Sequence, residues 1–500
     1  MSEIVTLTAG NGQTVRFYNE IKAQGGMKDV YFSPDGGYVV AFYRREADAD
    51  TRERLEMITG AYRERIFGQE GGSYLQNLYC WPTAVVEWQG RLGVVAPFYR
   101  PCFFFEHGSR NNDMLGIKGK EKDGKWFASA ANRSKFLDPR ELGNWMMHLK
   151  VCIMLARAMR RMHMAGLSHS DLGYKNCLID PTTGQASLID IDGLVVPGKH
   201  PPTVVGTPDF IAPEVVETAH LDKNDPARKL PSRSTDLHAL AVLIYMYLLY
   251  RHPLRGDKVH DADDSQRDEE LMMGAAALFV EHPADASNRI RIEHLKPHEL
   301  PWKDTAAVPY TVCGPYLAAL FERAFIDGLH RPAERPSADE WEQALVKTVD
   351  LLQPCANAEC GQKYYPFDNR VQPKCPFCGT PHRGSLPVLN LYSQDPDGKY
   401  RPDNHRIMVY SGQSLFAWHA DRNIFPNERL KPEDTRRVAY FVEHQGQWWL
   451  VNERLDGLYD AVAKTPVPPG EKVLLTEGAQ LLLQSDPGGR LAAVQMAGAA

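Results

Sequence analysis

Short runs of alternating apolar and polar residues open the chain. Ile4-Val5-Thr6-Leu7, an Asn11-Gly12 pair and Thr14-Val15-Arg16-Phe17 read as a β-hairpin, because successive strand side chains face opposite sides and Asn-Gly tolerates the left-handed backbone of a tight turn. Tyr38-Val39-Val40-Ala41-Phe42-Tyr43-Arg44 and Leu92-Gly93-Val94-Val95-Ala96-Pro97-Phe98-Tyr99 predict further strands, and Thr51 to Phe67 between them predicts a helix. Gly108 to Ala131 is polar and glycine-containing and predicts an insertion or loop. From Arg140 to Ala165, Trp145, Leu149, Ile153, Ala156 and Met159 recur at helical spacing. Ala239 to Tyr250 is almost wholly apolar; it predicts a buried helix and falls short of the roughly 20 residues that span a membrane. Ala338 to Leu352 predicts a last helix. Beyond about Ser385 the pattern turns to short strands, Arg406-Ile407-Met408-Val409-Tyr410, Ala439-Tyr440-Phe441-Val442, Trp448-Trp449-Leu450-Val451, Lys472-Val473-Leu474-Leu475 and Gln480-Leu481-Leu482-Leu483, spaced as in a β-sandwich.

Composition narrows the function classes. A chain of 500 residues with 43% apolar content has material for about three cored domains. Its formal charge of −6 gives no bulk electrostatic case for nucleic acid. Met1 to Thr8 lacks the basic and apolar regions of a secretory leader, so a cytoplasmic protein without membrane association is expected. Nine cysteines, an odd number, scatter along the chain, which argues against a secreted disulfide framework. Cys80, Cys102, Cys152, Cys177 and Cys313 lie among apolar residues and read as core thiols.

Three motifs carry the chemistry. His169-Ser170-Asp171-Leu172-Gly173-Tyr174-Lys175-Asn176 is followed by Ile189-Asp190-Ile191-Asp192-Gly193 and then by Gly206-Thr207-Pro208-Asp209-Phe210-Ile211-Ala212-Pro213-Glu214. In this order and spacing they resemble a protein kinase. The resemblance implies a bilobal α+β fold, ATP with magnesium or manganese, and protein substrates. It implies Asp171 as the base that accepts the substrate hydroxyl proton, and Asn176 and Asp190 as magnesium ligands, with Asp192 the second choice beside Asp190. Asp236 would open the central helix of the large lobe and anchor the catalytic loop, and Arg335 would pair with Glu214. A nucleotide-covering loop would fall at Gly25, Gly26 and Lys28. Ala41 stands where the family's strand approaches the nucleotide, but the family's lysine position falls on Tyr43, leaving Arg44 or Lys28 as the substitute phosphate contact. Glu53, Glu56 and Glu64 are candidate helix carboxylates, and Ala96 and Phe98 would meet adenine at the hinge. Gly206-Thr207 resembles serine/threonine kinases, whereas Lys175, four residues after Asp171, has tyrosine-kinase spacing; serine/threonine transfer is favoured and dual specificity stays open. Ser170 replaces the arginine that pairs with an activation-loop phosphate, and Thr203 is a candidate autophosphorylation site.

Cys355, Cys360, Cys375 and Cys378 form two close pairs, the pattern of a four-thiolate zinc site with no position left for water. Trp449-Leu450-Val451-Asn452, Pro469-Gly470 and Leu474 to Gly478 are similar to the closing half of a forkhead-associated domain; the Gly-Arg and Ser-x-x-His phosphothreonine-binding elements of that family are not evident, and Trp418 to Asn423 stands where they would be. The expected domains are a kinase small lobe over 1–98, a large lobe over 99–352, a zinc ribbon over 353–384 and a β-sandwich over 385–500. This arrangement resembles the bacterial kinases of tellurite-resistance systems, which implies a von Willebrand-type protein and a PP2C-type phosphatase as partners. A nucleotide-binding pseudokinase scaffold is the alternative.

Overall fold

The computed structural model describes residues 3–24, 27–195, 206–222, 224–367, 373–395 and 397–498. Gly25, Gly26 and Thr203 lie outside the described residues. The chain divides into two compact units, one of Met1–Gly143, Lys150–Thr305 and Phe321–Trp341, the other of Asn144–Leu149, Ala306–Leu320 and Glu342–Ala500.

The first unit begins with the expected hairpin, β1 (Ile4–Thr8) and β2 (Thr14–Tyr18). A five-stranded antiparallel sheet follows, built from β3 (Ala23–Gln24), β4 (Lys28–Phe32), β5 (Tyr38–Tyr43), β6 (Ala84–Trp88) and β7 (Arg91–Pro97) in the order β3-β4-β5-β7-β6. Its apolar residues serve two faces. Phe17, Tyr31, Phe42 and Trp88 interlock on one, mostly in edge-on ring contacts such as Phe17–Trp88 at 5.2 Å; on the other, Ala41, Val85, Leu92 and Val94 receive Leu55.

Leu55 belongs to helix α1 (Ala49–Met57), whose first turn is capped by the Asp48 carboxylate accepting from Thr51 N at 2.8 Å. The sequence predicts one helix to Phe67; the structure inserts a wider π turn at Ile58–Tyr62 before α2 (Arg63–Phe67). Leu55, Ile58, Tyr62 and Ile66 are buried along this interrupted helix.

Further along lie α3 (Trp145–Met164), whose first residues to Leu149 belong to the second unit, the hairpin of β8 (Cys177–Asp180) and β9 (Gln185–Leu188), and α4 (Arg233–Leu249). Helix α4 is buried nearly all round, from Thr235 to Leu249, as its apolar run predicts. The Gly108 to Ala131 segment is short helical turns rather than a plain loop, and it buries Lys122 between Asp180 at 2.9 Å and Glu141 at 3.0 Å. A charged residue in polar sequence gives no hint of such burial.

The second unit contains the end of α5 (Ala338–Val349), the hairpin of β10 (Leu352–Pro354) and β11 (Tyr364–Pro366), and two antiparallel sheets. One orders β13-β12-β21-β20-β17-β18 and the other β14-β15-β16-β19. Their ranges are β12 Leu386–Gln394, β13 Tyr400–Met408, β14 Ser414–Phe416, β15 Arg437–His444, β16 Gln447–Asn452, β17 Tyr459–Asp460, β18 Thr465–Pro466, β19 Lys472–Leu475, β20 Gln480–Leu482 and β21 Arg490–Ala497. Val388, Leu391, Phe441, Leu450, Leu481 and Val494 from both sheets share one core. The sequence patterns mark parts of β13, β15, β16, β19 and β20 but miss β12 and β21, which pair along Leu386 to Ser393. Alternation puts Trp448 in the core and leaves Trp449 half-buried beneath the Lys472 ammonium, 4.4 Å from its ring.

Within Trp418 to Asn423, His419 and Ala420 are buried, while Arg422 and Asn423 are exposed. His419 is buried; its Nδ1 accepts from Phe416 N at 3.0 Å and its Nε2 lies 3.1 Å from Asp350, which His405 also meets at 2.6 Å. The imidazoles and their hydrogen bonds hold the buried Asp350 carboxyl well below the usual carboxylate range against the opposing effect of burial.

Candidate active site and metal centre

The loop before Asp171 is fixed by the first turn of α4. Asp236 accepts from His169 N at 2.8 Å and Ser170 N at 3.0 Å, and His163 Nε2 lies 3.1 Å from it. Ser170 adopts a left-handed backbone, φ 69°, a conformation that costs about 1–3 kcal/mol and persists where surrounding bonds enforce it.

Asp171 is oriented from both sides. Its Oδ1 accepts from the Thr207 hydroxyl at 2.9 Å, and its Oδ2 accepts from Asn176 Nδ2 at 3.0 Å. The same amide donates to Asp171 O at 2.7 Å, while His169 Nε2 donates to Ile189 O at 3.0 Å and Ile189 N donates to Asn176 O at 3.0 Å. The two loops are thereby stitched together, with Asp190 next in line. Lys175 is exposed in the Tyr174–Asn176 turn.

Asp190 also has a left-handed backbone, φ 61°, and its carboxylate is exposed, whereas that of Asp192 is buried. Lys28 Nζ lies 3.5 Å from Asp190 Oδ1 and is in direct ion-pair contact with Asp192 Oδ2, to which the Tyr43 hydroxyl donates at 2.5 Å. Burial alone would lower the Lys28 pKa, but Asp192 and Asp190 together raise it, so Lys28 is a cation. Burial and the neighbouring Asp192 charge push the Tyr43 hydroxyl far up, keeping it a neutral donor.

Register explains why a lysine from β4 arrives at this place. Lys28 is the cross-strand partner of Tyr43, so the two side chains leave the same sheet face, with Nζ 5.2 Å from the ring centre. Arg44, the other expected substitute, is committed elsewhere: its Nε donates to Asp29 Oδ1 at 2.9 Å, and Arg91 takes the second oxygen at 2.7 Å. Ala41 pairs with Val94 inside the sheet.

At the connection after β7, Ala96 pairs with Val39, and Phe98 N donates to Gly37 O at 3.2 Å. The Phe98 N–H is thus bonded within the protein, next to the connection after β7. Glu53, Glu56 and Glu64, the expected helix carboxylates, are all exposed. Tyr43, which the sequence marks only as an intruder in the lysine's place, proves to bind Asp192; the cross-strand register was the missing signal.

The fold markers stand as expected. Arg335 Nη1 and Nη2 reach Glu214 at 2.8 and 2.7 Å, a two-pronged pair with the guanidinium buried.

Residues 121–305 match the family model of the protein kinase domain. The matched span contains Asp171, Asn176, Asp190, Asp192, Glu214 and Asp236; the sheet carrying Lys28 and Tyr43 lies before it. The kinase-like segment therefore has the loops that hold the aspartates and the helix that anchors them. No curated protein matches the chain.

The second unit brings together Cys355, Cys360, Cys375 and Cys378, whose sulfurs lie within 4.8 Å of one another. Cys355 and Cys378 are 3.5 Å apart and Cys360 and Cys375 3.9 Å apart. A tetrahedral zinc with sulfurs at about 2.3 Å separates them by about 3.8 Å, so the cluster fits zinc, while a disulfide needs about 2.05 Å. Burial opposes ionisation of Cys378, but hydrogen bonding with Thr380 and the neighbouring cysteines brings it down to about 6. One thiolate is thereby ready for a cation. Among the described residues no helix is long and apolar enough to cross a membrane.

Proposed function

We propose that the chain is an ATP-dependent protein kinase that transfers the γ-phosphate to serine or threonine hydroxyls. The observation that carries this reading is the Asp171 carboxylate, held by Thr207 and Asn176 beside Asp190, Asp192 and Lys28. Magnesium, or manganese, would neutralise phosphate charge in the loaded site, held by Asn176 and Asp190. Asp171 accepts the acceptor hydroxyl's proton, and its two hydrogen bonds point the carboxylate. Asp192 and Tyr43 hold Lys28 at the aspartates, where its ammonium meets phosphate oxygens. Thr207 on Asp171 favours serine/threonine acceptors; Lys175, exposed one residue before Asn176, keeps tyrosine in view as a second acceptor. Adenine would lie against the connection after β7, beside Ala96 and Phe98.

The four-thiolate cluster supports a structural zinc, and its presence with the two-sheet carboxyl-terminal region in the same chain supports the likeness to the tellurite-resistance kinases. On that likeness the chain works beside a von Willebrand-type protein and a PP2C-type phosphatase in a bacterial stress system, and its two-sheet region is a forkhead-associated-like docking module. The displaced lysine favours a second reading, a nucleotide-binding scaffold without transfer. Incubation of the whole chain with radiolabelled ATP, magnesium and generic protein acceptors, followed by phosphoamino-acid analysis, tests the proposal. Phosphoserine or phosphothreonine supports it; phosphotyrosine alone replaces its substrate class; nucleotide binding without transfer selects the scaffold.

A further inference from the structure

Helix α1 buries a charge next to Leu55, the residue that packs on the sheet. Arg54 is 5% exposed, and its Nε and Nη1 are buried with no hydrogen-bond partner. Its neighbour Leu55 packs in one cluster with Ala41 and Tyr43, and Tyr43 in turn binds Asp192. The guanidinium opposes the rise of the Tyr43 hydroxyl pKa, so its charge reaches that hydroxyl. Kinase-type sites use a strand lysine paired to a helix glutamate. Here both signs differ, with a neutral Tyr43 on the strand and a cationic Arg54 on the helix, while Glu53 and Glu56 face solvent.

A guanidinium whose Nε and Nη1 are buried without acceptors is disfavoured. Its planar fork of donors matches phosphate oxygens, and Asp192, the nearby carboxylate, is already held by Lys28 and Tyr43. We propose that Arg54 is a phosphate-binding residue of the nucleotide site, taking phosphate oxygens of the nucleoside triphosphate alongside Lys28. The proposal rests on the kinase reading and deepens it: the helix contributes a cation directly to the nucleotide and no longer a carboxylate to a lysine.

The test is calorimetric titration of the zinc-loaded full chain, with magnesium, by ATP and by adenosine, for wild type, Arg54→Met and Arg54→Lys, with thermal melting of each free protein. Arg54→Met is expected to weaken ATP about tenfold or more, as for loss of a charge-assisted hydrogen bond. Adenosine affinity stays unchanged, and the free variant melts no lower than wild type because an unsatisfied charge has been removed. Arg54→Lys recovers part of the ATP affinity and carries the comparison if the methionine variant does not fold. Unchanged ATP affinity, or equal losses for ATP and adenosine with a lowered melting temperature, would overturn the proposal and mark Arg54 as structural. A wild type that binds adenosine and ATP equally overturns it too, whereas a wild type that binds neither removes the kinase reading on which it stands.

Discussion

Lys28 and Arg44 differ at the level of single side chains, and the difference is measurable. Lys28 contacts Asp192 and lies 3.5 Å from Asp190, while Arg44 is bound to Asp29 on the sheet. Lys28→Met is expected to abolish detectable transfer and to destabilise the fold by about 3–5 kcal/mol, since it leaves Asp192 buried without its cation. Arg44→Met should keep transfer within a few-fold of wild type; urea unfolding and initial rates read both effects, and the opposite ranking would show that Arg44 serves the phosphate. His252 supplies a pH signature. Its Nδ1 accepts from Leu254 N at 3.1 Å and its Nε2 donates to Asp209 O at 2.9 Å, which leaves no room for a second proton. Burial lowers its pKa from 6.5 to about 4. Below 6.5 the unfolded chain binds a proton that the folded chain refuses, so stability is full above that pH and is lost as pH falls toward about 4. His252→Gln should flatten the wild-type slope over this window by up to about 1.4 kcal/mol per pH unit, and an unchanged slope would exclude His252 as its source. Buried His238, also held well below its usual value by burial, acts in the same direction in both proteins.

Elements were legible where local pattern and tertiary role agree. The apolar run of α4 is buried as its composition demands, and Asp236 at its start binds the His169-Ser170 backbone as its place in the motif implies. The interrupted α1–α2 segment reads as one helix because Leu55, Ile58, Tyr62 and Ile66 keep ordinary helical spacing across the π turn, so the apolar pattern carries no sign of it. Strand β12 escaped notice although Leu386 to Leu389 is apolar, because residues buried on both faces lose the alternation that marks a half-exposed strand. The cysteine cluster was legible from spacing alone. Metal analysis should find one zinc per chain in wild type and a loss in Cys375→Ser, with a lower melting temperature, because the four clustered cysteines would lose the cation that joins them. A zinc-free chain that melts at the wild-type temperature would contradict a structural role.

For the molecule as a whole, the aspartate loops could be read from the sequence because each is a contiguous motif. The cations are not contiguous motifs: the sequence offers Lys28 and Arg44 as alternatives, and the register opposite Tyr43 selects Lys28, while Arg54 stands out only by its burial in the fold. Only the fold brings these segments together, and neither belongs to the span that matches the kinase family. The central claim is that Asp171 accepts a proton during phosphoryl transfer. Its most direct test is the initial rate of γ-phosphate transfer from ATP by wild type and Asp171→Asn at equal nucleotide occupancy. The account predicts that wild type transfers phosphate and that the variant, still folded and still binding ATP, is slower by about 10²–10⁴-fold. Equal rates for the two proteins would contradict it.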